Sequence, residues 1–195
     1  MFTTTRRRVL AGGVAGAALL AGGGLLSWLT RGYALDDGAP LPVALSVKEL
    51  CVVTALVQAL HPRDGAFPSG EDLGVPACID EELWSQPAAM RDDLKAAIQL
   101  LEHAPPLLGY AGKLTALAPA VRAEAFQRLV AEGPDVVVQA GVGLKQLMGL
   151  FVFGHASTWQ AIGYDGPWQK EPRPPPSHQR YLDAVAAVAA GRRPA

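Results

Sequence analysis

Apolar residues recur along most of this chain three and four apart, and Pro and Gly interrupt them where each run ends. This spacing is the signature of helices with one buried face. Leu50 to Leu60 is almost wholly apolar and predicts a buried central helix. Ser46-Val47-Lys48-Glu49 before it is a capping box, in which Ser and Glu each bond the other's amide. His61-Pro62 ends the run, and residues 61–75 read as a long polar loop. Pro76 suits a first helical turn, followed by Ile79, Leu83 and Trp84 at helical spacing. Pro87 opens a helix striped by Leu94, Ile98 and Leu101, and Pro105-Pro106 breaks it. Pro119 starts another, with Val121, Ala125, Phe126 and Leu129 on one face. After Gly133-Pro134 comes a long apolar segment, Val136 to Phe153. Its Val triplet alone suits a strand, but Leu144, Leu147, Met148 and Phe151 favour a helix. No hairpin signal occurs, so the expected fold is all-α: a small irregular bundle over residues 35–168. Beyond it, residues 169–195 read as a tail, extended and Pro-rich over 170–179 and then a short helix from Tyr181 to Ala190.

The N-terminus has another texture. From Val9 to Leu29 there is no charge, and the first acidic residue is Asp36. Thr5-Arg6-Arg7-Arg8-Val9-Leu10 fits a twin-arginine export signal, with Arg6 and Arg7 as the paired arginines. Residues 1–34 are therefore expected to be a leader or an anchor outside the fold. Two outcomes fit. Cleavage after Ala34 uses Gly32 and Ala34 as the small residues, and retention uses residues 9–29 as a membrane span of about 20 residues. Either way the chain is expected in the periplasm at the inner membrane, carried there by the twin-arginine translocase.

Charge changes the picture once the leader is set aside. Four of 17 basic residues and none of the 18 acidic ones lie before residue 35, leaving 13 against 18 and a net charge of −5. That argues against a nucleic-acid partner, which needs a basic face. Cys51 and Cys78 are the only cysteines. An exported chain can oxidise such a pair to a disulfide, and two buried free thiols are the alternative. Two thiols cannot hold a four-thiolate iron–sulfur cluster, and there is no Cys-x-x-Cys-His for covalent haem.

Residues that could carry catalytic chemistry are few and scattered. Gly141-x-Gly143 lacks the third glycine of a dinucleotide loop. His61, His103, His155 and His178 are scattered and read as caps or surface positions. Asp92-Asp93 and Glu81-Glu82 fall on solvated helix surfaces, and Glu71-Asp72 lies in the long loop. No set of nucleophile, base and orienting group can be assembled from them, and no cofactor or metal motif appears.

The last dense feature is aromatic. Trp159, Gly163, Tyr164, Gly166, Pro167 and Trp168 crowd a short stretch after the long apolar helix. They serve either to seal the bundle or to contact a partner, since Trp and Tyr are enriched at interface hot spots. The pattern Trp159-x-x-Ile162-Gly163-Tyr164-x-Gly166-Pro167 resembles the end of the gluconate 2-dehydrogenase subunit 3 family. Leu60-His61-Pro62, the segment Gly70 to Asp80 (GEDLGVPACID) and Lys145-Gln-Leu147 resemble further elements of it. The likeness spans about residues 47–168. Gly154-His155 departs from the usual Tyr-containing run that follows paired aromatics such as Phe151 and Phe153.

The resemblance implies a non-catalytic small subunit with no cofactor of its own. Its large partner would be a flavin-dependent sugar or alcohol dehydrogenase of the glucose–methanol–choline type, carrying FAD. A multihaem cytochrome c subunit, carrying haem c, would often complete the complex. The small subunit would escort the large one through maturation and export, with 159–168 and the Pro-rich tail as docking candidates. A free-standing exported enzyme and a plain membrane-anchor subunit are the alternatives.

Overall fold

The computed structural model describes residues 32–35, 41–65, 67–167 and 174–192. Its elements are α1 (Val47–Leu60), α2 (Val75–Ser85), α3 (Ala88–His103), α4 (Pro119–Glu132), α5 (Asp135–Gly154), α6 (Ala156–Trp159) and α7 (Pro176–Ala189), with 3₁₀ turns at Pro105–Leu108 and Leu114–Ala116. Among the described residues there is no strand, only one antiparallel bridge between Asp64 and Phe67. The class is all-α, as the spacing predicts. The signal at Arg6 and Arg7 and the aromatic Trp168 lie outside the described residues.

Each helix begins where local chemistry allows. Ser46 caps α1 with both halves of the box: its hydroxyl accepts from the Glu49 amide at 3.3 Å, and Glu49 accepts from the Ser46 amide at 2.8 Å. Pro76, Pro119 and Pro176 sit in the first turns of α2, α4 and α7, where a missing N–H costs nothing. α7 therefore starts at Pro176, five residues before its Ala-rich run. The expected extension over residues 170–179 is corrected for 176–179, which are helical. Pro176 presets the first helical turn, and Tyr181 anchors the helix further along.

α5 is the spine, packed against α3, α4, α2 and α6. It is the one described helix long and apolar enough to cross a membrane. Here its inward positions Val137, Leu144, Met148 and Val152 are buried in the bundle. Val52, Val53, Leu56 and Val57 of α1, Ile79 and Leu83 of α2, Ile98 and Leu101 of α3, and Phe126 and Leu129 of α4 are buried with them in the core. Each such side chain contributes about 1.5–3 kcal/mol by leaving water. Gly141 lets α4 come close, because a Cβ there would lie 2.6 Å from Val130 Cγ2.

One predicted face shifts. Val121 is exposed, and Arg122 takes the inward place with Ala125, Phe126 and Leu129. Those four fall at i, i+3, i+4 and i+7, a better helical stripe than the one built on Val121. The Arg122 guanidinium is satisfied where it lies. It donates to the carbonyls of Leu114, Ala55, Thr115 and Leu117 and to Gln58 Oε1, at 3.0–3.3 Å. These bonds tie the 114–117 turn to α1 and α4.

Candidate functional site: the aromatic end of the bundle

The last turn of α5, the short α6 and the chain as far as Pro167 fold onto one another. His155 opens α6 as its N-cap, its Nδ1 lying 3.3 Å from the Ser157 amide and 2.8 Å from the Ser157 hydroxyl. Thr158 is fully buried, its hydroxyl 2.9 Å from the Val152 carbonyl and 2.8 Å from the His155 carbonyl, so α6 is pinned to the end of α5.

Trp159 is the hub of this end. Its carbonyl accepts from the Tyr164 amide at 2.9 Å and the Ile162 amide at 3.2 Å, closing a tight turn. Gly163 makes that turn with φ +69°, and Gly166 makes the next with φ +92°. A Cβ on Gly166 would lie 2.9 Å from Trp159 Cζ3, so the backbone packs against the indole and only glycine fits. Tyr164 meets the same indole edge-on, with centroids 5.5 Å apart and planes at 83°. Such an arrangement is worth about 0.5–1.5 kcal/mol beyond burial. Pro167 is half-buried beside it.

The hub seals itself and leaves apolar groups outside. Ile162 is 46% exposed, Tyr164 47%, Phe153 48% and Leu150 67%. Phe153 also joins this end to the loop after α1, its ring 6.3 Å from those of both His61 and Phe67. Of the two roles open to the aromatic stretch, sealing belongs to Trp159 and Thr158, while Ile162 and Tyr164 face solvent. Four large apolar side chains within fifteen residues are thus left exposed at this end of the chain's bundle.

The other candidates lie elsewhere. Cys51 on α1 and Cys78 on α2 are both half-buried. Cys51 Sγ donates to the Ala34 carbonyl at 3.5 Å. Cys78 lines a cavity of about 210 Å³ with Glu81, Glu82 and Ser85 of α2, Phe151 of α5, and Pro175 and Ser177 at the start of α7. Burial pushes the Cys78 thiol up, and Glu81 pushes it further, the reverse of what a nucleophile needs. Glu71 accepts from Gln58 at 3.0 Å, and Asp72 pairs with Arg63 at 2.6 Å, so the loop carboxylates brace the loop. Ser69 binds Asp72 through its hydroxyl and amide and, with Arg63, holds that carboxyl below its usual range. His61 and His155 do not join a metal set, and no group of three or more His, Cys, Asp or Glu among the described residues could hold an ion.

Sequence reasoning missed the buried polar centre at Asp80. That carboxylate is 2% exposed and accepts four hydrogen bonds. Three come from the amides of Val43, Ala44 and Leu45 at 2.7–3.0 Å, and the fourth from the Tyr181 hydroxyl at 2.9 Å. It thereby joins the chain entering α1 to the last helix. The only signal was position: Asp80 follows Ile79 and precedes Leu83 on the buried side of α2. A second centre is Glu102, fully buried at the end of α3, which accepts from the Thr115 hydroxyl at 2.6 Å and amide at 3.1 Å.

No family model, curated protein or solved structure matches this chain.

Proposed function

We propose that this chain is the non-catalytic small subunit of a periplasmic, flavin-dependent dehydrogenase complex of the glucose–methanol–choline type. In this reading it escorts the large subunit through maturation and twin-arginine export. FAD belongs to the large subunit, haem c to a cytochrome subunit, and the substrate, a sugar or alcohol, to the large subunit's own site. Arg6 and Arg7 engage the translocase. The aromatic end of the bundle docks the folded flavoprotein.

The observation that carries the reading is the geometry of the Trp159 hub. The same residues that resemble the small-subunit family build a preformed turn that spends Trp159 on its own closure and presents Ile162 and Tyr164 outward. A turn already closed loses little conformational freedom when a partner covers it, which favours binding.

Copurification tests the docking surface. A tagged chain carrying Ile162→Asp and Tyr164→Ala is expected to capture at least tenfold less of a coexpressed glucose–methanol–choline flavoprotein from the same genome. Met90→Glu, at an exposed apolar position on α3, should leave capture unchanged. Equal capture by all three proteins would remove the aromatic end from the interface.

A further inference from the structure

α7 is attached to the bundle in a different way from the other long helices. Its principal neighbour is α2. Only Tyr181 and Ala184 of its fourteen residues are buried, the fewest of the long helices, against three on α3, four on α4, five on α5 and seven on α1. Tyr181 is the one large side chain that α7 buries, and its ring meets Trp84 at 6.1 Å. Ala184 is buried beside it, Val185 and Val188 are half-buried, and two polar contacts complete the attachment. The Tyr181 hydroxyl donates to Asp80 Oδ2 at 2.9 Å, and His178 Nδ1 lies 2.7 Å from Glu81 Oε1. On the outer side Leu182 is exposed. The Asp80 carboxylate keeps its three backbone donors whether or not Tyr181 is present, so lifting α7 leaves that centre largely satisfied.

We propose that α7 is a strap, held over α2 by the Tyr181–Asp80 and His178–Glu81 contacts, that opens by local release while α1–α5 stay folded. Opening uncovers Cys78, Glu81 and Trp84 on α2 and the cavity that Pro175 and Ser177 help to line. The strap is a conformational device of the free chain, independent of the escort reading, and it stands or falls without any partner. Local opening follows from the shortage of apolar contact on α7, since such segments exchange their amides well below the global unfolding limit.

Native-state hydrogen exchange on the full chain, followed peptide by peptide, tests it with two variants. In the wild-type chain the α7 amides from Tyr181 onward should exchange at least a hundredfold faster than those of Val53–Val57 in α1. Tyr181→Phe should speed α7 about tenfold more and leave α1 unchanged. Leu101→Ala, which opens a hole in the α3 core, should do the opposite and speed α1 alone. If α7 is as protected as α1, or if it accelerates together with α1 in Leu101→Ala, α7 opens only with global unfolding and the strap is overturned.

Discussion

Asp80 shows how much one side chain can organise. A buried carboxylate with four donors around it is stable only because each lone pair finds a partner. Asp80→Ala leaves three amides and a phenol facing an empty space. At about 1–3 kcal/mol for each group that goes unsatisfied, the cost is expected at about 4 kcal/mol or more, read as a drop in the urea midpoint. A change below about 1 kcal/mol would mean that water replaces the carboxylate. Burial pushes the Tyr181 phenol up, and Asp80 pushes it further, so it stays a donor at every physiological pH. Gly166 is decisive in another way. Gly166→Ala brings a methyl group against the indole at a positive φ and adds strain of about 1–3 kcal/mol to the hub. The expected outcome is loss of the Trp159–Tyr164 signal in near-ultraviolet circular dichroism with the far-ultraviolet spectrum unchanged. An unchanged near-ultraviolet spectrum would contradict the packing of Gly166 on the ring. Gly166 was legible in the sequence, because Asp-Gly-Pro is turn chemistry. Asp80 was not, because a lone acidic residue between apolar ones looks the same whether it faces water or a set of amides.

At the scale of elements, punctuation was more legible than faces. Ser46, Pro76, Pro87 and Pro119 mark helix starts through local chemistry, which the sequence carries in full. The inward side of α4 was not legible from hydrophobicity, because it includes a guanidinium whose acceptors come from α1 and the 114–117 turn. Arg122→Leu removes all five donors and leaves those acceptors buried, so it is expected to cost about 2–4 kcal/mol, and Arg122→Lys nearly as much, because an ammonium cannot serve a planar set of five acceptors. Thermal midpoints of the two variants check this; full stability in Arg122→Lys would show that charge alone suffices. The end of α3 carries a pH dependence. His103 Nε2 lies 3.1 Å from Lys48 Nζ, and burial, then Lys48, then Lys113 push its pKa down from 6.5 to about 4. The unfolded chain takes up that proton near pH 6.5 and the folded chain only near pH 4. Between these values the unfolded state binds more protons, so this contribution to stability is complete above pH 6.5 and falls as pH drops toward 4. The midpoint should fall between pH 7 and pH 4.5, and His103→Gln should narrow the difference. An equal fall in both would assign it to other groups.

For the molecule as a whole, the all-α class followed from periodicity and loop punctuation, because both depend on residues near one another in the chain. The α7 docking did not, because it rests on Tyr181 meeting Asp80, one hundred and one residues away. The aromatic end was half legible: its residues stood out, but their division into a half-buried Trp159 and an exposed Ile162 and Tyr164 needed the fold. The escort reading joins this surface to Arg6 and Arg7, so its most direct test uses both ends of the chain. A large subunit that has no leader of its own is coexpressed with this chain, and its flavin-dependent dehydrogenase activity is measured in the periplasmic fraction. The account predicts that Arg6→Lys with Arg7→Lys, and separately Ile162→Asp with Tyr164→Ala, each hold at least nine-tenths of that activity in the cytoplasm, about a tenfold periplasmic loss. Full periplasmic activity with either pair of substitutions would contradict it.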